Sequence, residues 1–278
     1  MAFASPEESG FEMRSRIARR ATIGFLREEL GAGVSGRLDR SRTIIVELLS
    51  GALESVSPAQ LVNGANAAAV FSGAGVWEVL QFTTAEEIEP SVWRLDGLLR
   101  GQLGTDDAMQ AGAPEGAGFI LLDQAVQAVG LRATEAGLER HWRIGPAGEA
   151  FGSARFFQMQ AVGGLRALMP LSPVHLRARE ASSGAVVLSW IRRGRMDAES
   201  WLGDDVPLGE ASERYRIDIA GDDGAPLRSV TSETTDWTYT PEMRAADFPA
   251  APSEIRFTVR QVSAQVGPGI PTTVSVAG

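Results

Sequence analysis

Along most of the chain, apolar residues recur at every second position in short runs, the period of a strand with one buried face. In Thr43 to Leu49, Ile44, Val46 and Leu48 alternate with Ile45 and Glu47. In Val76 to Phe82, Trp77, Val79 and Gln81 oppose Val76, Glu78, Leu80 and Phe82. Ala21 to Leu26, Val92 to Leu98, Phe119 to Leu122, His141 to Ile144 and Ala154 to Ala161 give further strands bounded by turn residues. Helical signals are few. Ser57-Pro58-Ala59-Gln60-Leu61 predicts one helical turn, with Ser57 as cap and proline at the first helical position, whereas Gly137 interrupts the weak signal over Thr134 to Glu139. Leu99 to Ala117, rich in Gly, Asp and Pro, is expected to be a long surface loop. Residues 1–20 read as a flexible arm, within which Arg14, Arg16, Arg19 and Arg20 surround Met13 and Ile17. That stretch is a solvated strand or helix end, or a basic turn suited to an acidic partner or a membrane surface.

Pro170-Leu171-Ser172-Pro173 disfavours continuation of a helix or a central strand and marks a boundary. The expected division is a flexible arm over 1–20, a β-rich domain over 21–170 and a second domain over 171–278. In the last of these, seven strand-type runs follow one another: Val174 to Arg179, Ala185 to Trp190, Arg214 to Ile219, Leu227 to Thr231, Trp237 to Thr240, Ile255 to Val262 and Thr272 to Val276. Seven short strands are the count of an immunoglobulin-like sandwich. Their order and landmarks resemble fibronectin type III: Ser172-Pro173 at the first strand, Val187-Leu188-Ser189-Trp190 at the second with its tryptophan in the core, and Phe257 to Val262 at the sixth. Gly267-Pro268-Gly269-Ile270-Pro271 resembles the turn before the last strand. The sequence departs from that pattern in carrying Ile255 where the family has its corner tyrosine, and in a long insertion, Gly194 to Ala211, that contains Trp201. The expected fold class is mainly β, an irregular β-rich domain followed by a fibronectin type III-like β-sandwich.

The chain of 278 residues has no cysteine, which removes disulfides, thiolate metal sites and a cysteine nucleophile. Its two histidines, His141 and His175, stand in unlike contexts, against a multi-histidine metal centre. A net charge of −9 opposes a general grip on nucleic acid. No apolar run approaches the ~20 residues of a membrane-spanning helix, and the early Glu7, Glu8 and Glu12 do not fit a secretory leader.

No nucleophile elbow, phosphate loop or dinucleotide fingerprint is present, so the chain reads as a non-enzyme with no cofactor, no metal and no catalytic residue. Asp106-Asp107 and Asp204-Asp205 offer loop carboxylates to a glycoside hydrolase, the least favoured reading, because adjacent carboxylates do not span a sugar ring. These loops and Asp222-Asp223-Gly224 offer oxygen ligands for Ca²⁺ without the spacing of an EF-hand. His141, between Arg140 and Trp142, has no second histidine to orient it. As binding candidates, Trp201, Trp237 and Tyr239 provide aromatic platforms on which a carbohydrate-binding accessory module would stack sugars.

Several ordered motifs carry a wider resemblance. Leu61-Val62-Asn63-Gly64-Ala65-Asn66, Val76 to Phe82 and Trp93 to Thr105 with its Leu98-Leu99-Arg100-Gly101-Gln102-Leu103-Gly104-Thr105 run are followed by Phe119 to Asp123 and Arg143-Ile144-Gly145-Pro146. From about Ala21 onward this resembles the C-terminal region of the large baseplate or host-specificity protein of gene transfer agents and siphophage-like tails. The resemblance implies a structural place at a particle tail tip, assembled in the bacterial cytoplasm. Its partners would be other tail and baseplate proteins, a host-surface glycan or protein, and copies of itself in a homotrimer. The upstream glycosidase-like barrel of that family has no counterpart in these residues, so no activity is carried over. Within the run, Arg100 is expected to bridge to a neighbouring carboxylate.

Overall fold

Ile44, Val46 and Leu48 face inward from a strand that closes with five others into a barrel. The computed structural model describes residues 1–196 and 206–278 and divides the chain into two units, Met1–Gly164 and Leu165–Gly278. Unit 1 begins with β1 (Ala2–Ser5) and β2 (Glu12–Ser15). The barrel follows: β3 (Ile23–Leu26), β4 (Ile44–Ser50), β5 (Ala67–Phe71), β6 (Trp77–Glu89), β7 (Val92–Gln102) and β8 (Gly118–Leu121). Their order around the barrel is β3-β4-β7-β6-β5-β8, and every pairing is antiparallel. Closure leaves no free edge.

The barrel core is Leu26, Ile44, Val46, Val70, Leu80, Phe82, Leu95, Leu98 and Phe119. Burial of each large side chain contributes about 1.5–3 kcal/mol before conformational entropy is charged against it. Within the β-rich domain expected over 21–170, residues 23–121 form a regular closed barrel. Helix α1 (Pro58–Val62) is capped as its sequence requires: Ser57 Oγ accepts from the Gln60 N–H at 3.3 Å, and Gln60 Oε1 accepts from the Ser57 N–H at 2.9 Å.

Two expectations in unit 1 are corrected. Leu99 to Ala117 is not a long loop, because β7 runs on to Gln102 and helix α2 (Asp106–Ala111) follows. Gly112, which ends α2 at φ 66°, ψ −174°, lies where an added Cβ would meet the Leu30 carbonyl oxygen at 2.7 Å, so a glycine is required. The expected flexible arm over 1–20 is likewise replaced: β1 lies inside a four-stranded sheet of order β10-β9-β1-β2, completed by β9 (Glu139–Ile144) and β10 (Phe157–Val162). Ala2 and Ala4 are buried because they pair with Ile144 and Trp142 on β9.

Unit 2 is a sandwich of two antiparallel sheets. One has the order β11-β12-β15, from β11 (Val174–Glu180), β12 (Val186–Ile191) and β15 (Asp236–Tyr239). The other places β13 (Tyr215–Ala220) between β14 (Pro226–Ser232) and β16 (Glu254–Ser263), with β18 (Thr272–Ala277) on the far side of β16 and the two-residue β17 (Gly267–Pro268) against its end. Between the sheets lie Leu188, Trp190, Tyr215, Ile217, Tyr239, Ile255, Phe257 and Val259. The strict alternation of β16, buried at every second residue, turns Ile255, Phe257 and Val259 inward. Trp190 is in this core, as expected. The fold is mainly β, with a fibronectin type III-like sandwich at its C-terminal end. Helix α3 (Pro241–Asp247), which joins β15 to β16, was not foreseen.

Candidate functional site

Of the three aromatic residues singled out in the sequence, Trp237 and Tyr239 fall within the described residues. Trp201 lies in 197–205, outside the described residues, as do Asp197, Glu199, Asp204 and Asp205. Trp237 is half-buried on β15, its ring centroid 6.1 Å from that of Tyr239. Tyr239, 1% exposed, is a core residue with no open face for a sugar. Its hydroxyl donates to Asp247 Oδ2 at 2.9 Å, and Arg228 holds the same carboxylate through two bonds of 2.8 Å. Burial and the Asp247 carboxylate push the tyrosine hydroxyl pKa well above its ordinary range. These contacts tie α3 to the sandwich, next to the connection where Ile255 replaces the expected corner tyrosine.

The carboxylate pairs also have structural settings. Asp106 and Asp107 occupy the first turn of α2, where they complement the positive end of the helix. Asp222 accepts from the Ser253 N–H at 3.1 Å, the Ser253 hydroxyl at 2.6 Å and the Glu254 N–H at 3.1 Å, which engages both of its oxygens with protein donors. Those bonds lower its pKa. Among the described residues, no group of three or more His, Asp or Glu could hold a metal ion.

The bridge expected for Arg100 is present, and both of its partners are buried. Glu78 on β6 receives Arg100 Nε at 2.5 Å and Nη2 at 2.8 Å, while Nη1 reaches the Gly31 carbonyl at 3.3 Å. The Gly101 N–H adds a bond of 3.2 Å to Glu78 Oε1. Arg100 is 0% and Glu78 1% exposed, so this pair fixes barrel geometry and meets no ligand.

What the structure does bring together lies on the four-stranded sheet, which has two unlike faces. On one face, His141 and Arg143 of β9 stand beside Gln158 and Gln160 of β10, and with Glu8 and Phe11 they line a groove of about 410 Å³. Arg143 places its guanidinium carbon 4.8 Å from the Phe11 ring centroid and 4.7 Å from that of Phe151. Its Nε is buried without a hydrogen-bond partner among the described residues. His141 Nδ1 lies 3.4 Å from Gln160 Nε2. The arrangement offers planar hydrogen-bonding groups at the edge of an aromatic cluster of Phe3, Phe11, Phe151 and Phe156. On the opposite face, Val129, Leu131, Trp142, Ile144, Met159 and Ala161 line an apolar cleft of about 240 Å³.

The sequence reading missed this sheet because its strands come from segments more than a hundred residues apart. The clue available was the aromatic density of Phe151 to Phe157 together with the exposed alternation of Phe157 to Val162.

Comparison with known proteins bears on the barrel first. Residues 21–120 match the family described as Rcc01698-like, C-terminal. The matched stretch is the barrel. No curated protein matches the chain. Among solved structures, the fibronectin type III domain derived from human KIAA0970 protein is 19% identical, covering 41% of this chain and 76% of that one at a TM-score of 0.29. The chicken CNTN1 FN1-FN3 domains are 12% identical over 89% of this chain and 64% of theirs, also at 0.29. The d3-d4 domains of the rat CD45 extracellular region are 10% identical over 56% and 72%, again at 0.29. The sandwich assignment rests on the strand order and register described above.

Proposed function

We propose that the chain is a structural component of the tail tip or baseplate of a phage-like particle or gene transfer agent. One observation carries this reading: the family-matched stretch, residues 21–120, holds most of the ordered motifs that resemble the baseplate protein from about Ala21 onward, and it folds as one closed barrel. A barrel without free edges, locked by a buried ion pair, suits a part that is held in an assembly and turns over nothing. The test is to purify particles from cells carrying a tagged chain, identify their proteins by mass spectrometry and locate the tag by electron microscopy. The reading expects the chain at the tail tip, and its absence from purified particles counts against it.

A second reading, host-surface glycan contact, is favoured at the sheet groove over the sandwich aromatics, because His141, Arg143, Gln158 and Gln160 converge there and Tyr239 is buried. Planar amide, imidazole and guanidinium groups suit sugar hydroxyls. Binding to host envelope polysaccharide that survives Gln158→Ala with His141→Ala would exclude the groove.

A further inference from the structure

Strand β10 has the sequence Phe-Gln-Met-Gln-Ala-Val and, among the described residues, pairs with β9 alone. Phe157 is 64%, Met159 42% and Val162 55% exposed, and Gln158 and Gln160 are exposed as well. Soluble proteins blunt such an edge with charge, proline, a bulge or a covering loop. β10 contains no charged residue and no proline, and its pairing with β9 runs from Phe157 to Val162 without a register shift. The strand is an open, neutral, flat edge on a chain whose net charge of −9 would otherwise keep copies apart.

We propose that β10 is a homodimerisation edge, two copies pairing it antiparallel about a two-fold axis at Met159 so that two four-stranded sheets become one of eight strands. The register follows from symmetry. A two-fold axis perpendicular to an antiparallel pair passes through a residue and its own mate, so odd positions face odd and even face even. With the axis at Met159, Phe157 faces the mate's Ala161, Met159 faces Met159, and Gln158 faces Gln160. Apolar residues then meet apolar ones and amides meet amides across the whole contact. An axis at Gln160 would instead set Gln158 against Val162.

The charges on β9 do not oppose this register. Arg143 and the mate's His141 stay about three spacings, ~14 Å, apart, beyond strong repulsion. The apolar cleft at Trp142 and Met159 continues across the axis into its copy. This contact does not depend on the particle reading.

The absence of cysteine makes the register directly testable on the full chain. Sedimentation equilibrium over a concentration series should show mass rising from 29.6 kDa toward twice that value. Under mild oxidation Met159→Cys should form a disulfide-linked dimer. Gln158→Cys should not, because the two introduced thiols would be carried on Cα atoms about 8–9 Å apart, outside disulfide reach. Gln158→Lys with Gln160→Lys sets like charges opposite each other and should return the mass to 29.6 kDa with an unchanged far-UV spectrum. A wild-type chain that stays monomeric at every concentration overturns the proposal. So does equal crosslinking at positions 158 and 159, or a folded double-lysine variant that remains dimeric.

Discussion

Replacing Arg100 by methionine keeps much of its length and removes all of its charge from the interior of the barrel. Glu78 would then keep, of the three hydrogen bonds its carboxylate accepts, only the one from the Gly101 N–H, at a site 1% exposed. Breaking one side of a buried pair costs about 3–5 kcal/mol, because the surviving charge has lost both water and partner. Hydrogen exchange by mass spectrometry on peptides from β6 and β7 reads this loss in the barrel alone. There it should appear as roughly two to four orders of magnitude faster exchange, at about 1.4 kcal/mol per tenfold. Exchange should also rise over residues 31–39, since the Arg100 side chain packs against Gly33 and binds the Gly31 carbonyl. Arg100→Met with Glu78→Leu removes both charges and should recover most of the stability. A loss below about 1 kcal/mol in the single variant, the scale of an exposed pair, would refute the reasoning, as would a double variant no more stable than the single one.

Acid should loosen both units, with the barrel responding through Asp39. Its carboxylate accepts from the Ser41 hydroxyl and N–H and from Arg42, and these bonds, led by the hydroxyl, hold its pKa far below the usual range against the opposing effect of burial. The unfolded chain, with an aspartate pKa of about 3.9, takes up protons first as pH falls. The stability Asp39 confers is therefore complete above that value and is lost progressively below it. Asp39→Asn should flatten the acid limb of barrel exchange, and an unchanged limb would exclude this source. Tyr239→Phe should cost the sandwich about 1 kcal/mol in urea titration by removing the bond to Asp247, with the fold retained. Gly112→Ala should destabilise the barrel by about 1–3 kcal/mol, because the glycine-only conformation coincides with a carbonyl contact; a neutral effect would show that the α2 end can shift.

The class of fold was legible because alternation survives wherever a strand has one wet face. Thr43 to Leu49 and the sandwich strands around Trp190 and Phe257 were found within a residue or two of their observed bounds. The barrel was harder to see. β6 continues through Glu86, Glu87 and Glu89, and β7 through Arg100 to Gln102, where polar residues hide a long hairpin. The bridge made by Arg100 was legible, but its burial and its partner Glu78 were not. β1 has only alanines facing its buried side, which give almost no hydrophobic signal. For the site, pattern reading favoured tryptophan and tyrosine because they are the usual sugar platforms. Yet Tyr239 was needed in the core, and the residues that do converge, His141, Arg143, Gln158 and Gln160, look unremarkable in one dimension.

The pairing of β1 with β9 has a consequence for biosynthesis. β1 is translated before the barrel strands, residues 23–121, whereas its partners Trp142 and Ile144 are translated after them. The barrel can close while the ribosome is still at work, whereas β1 must wait for a distant mate. Nascent chains halted with residue 121 outside the exit tunnel and residue 139 still within it should carry a protected barrel and an unprotected β1, open to proteases and chaperones during that interval.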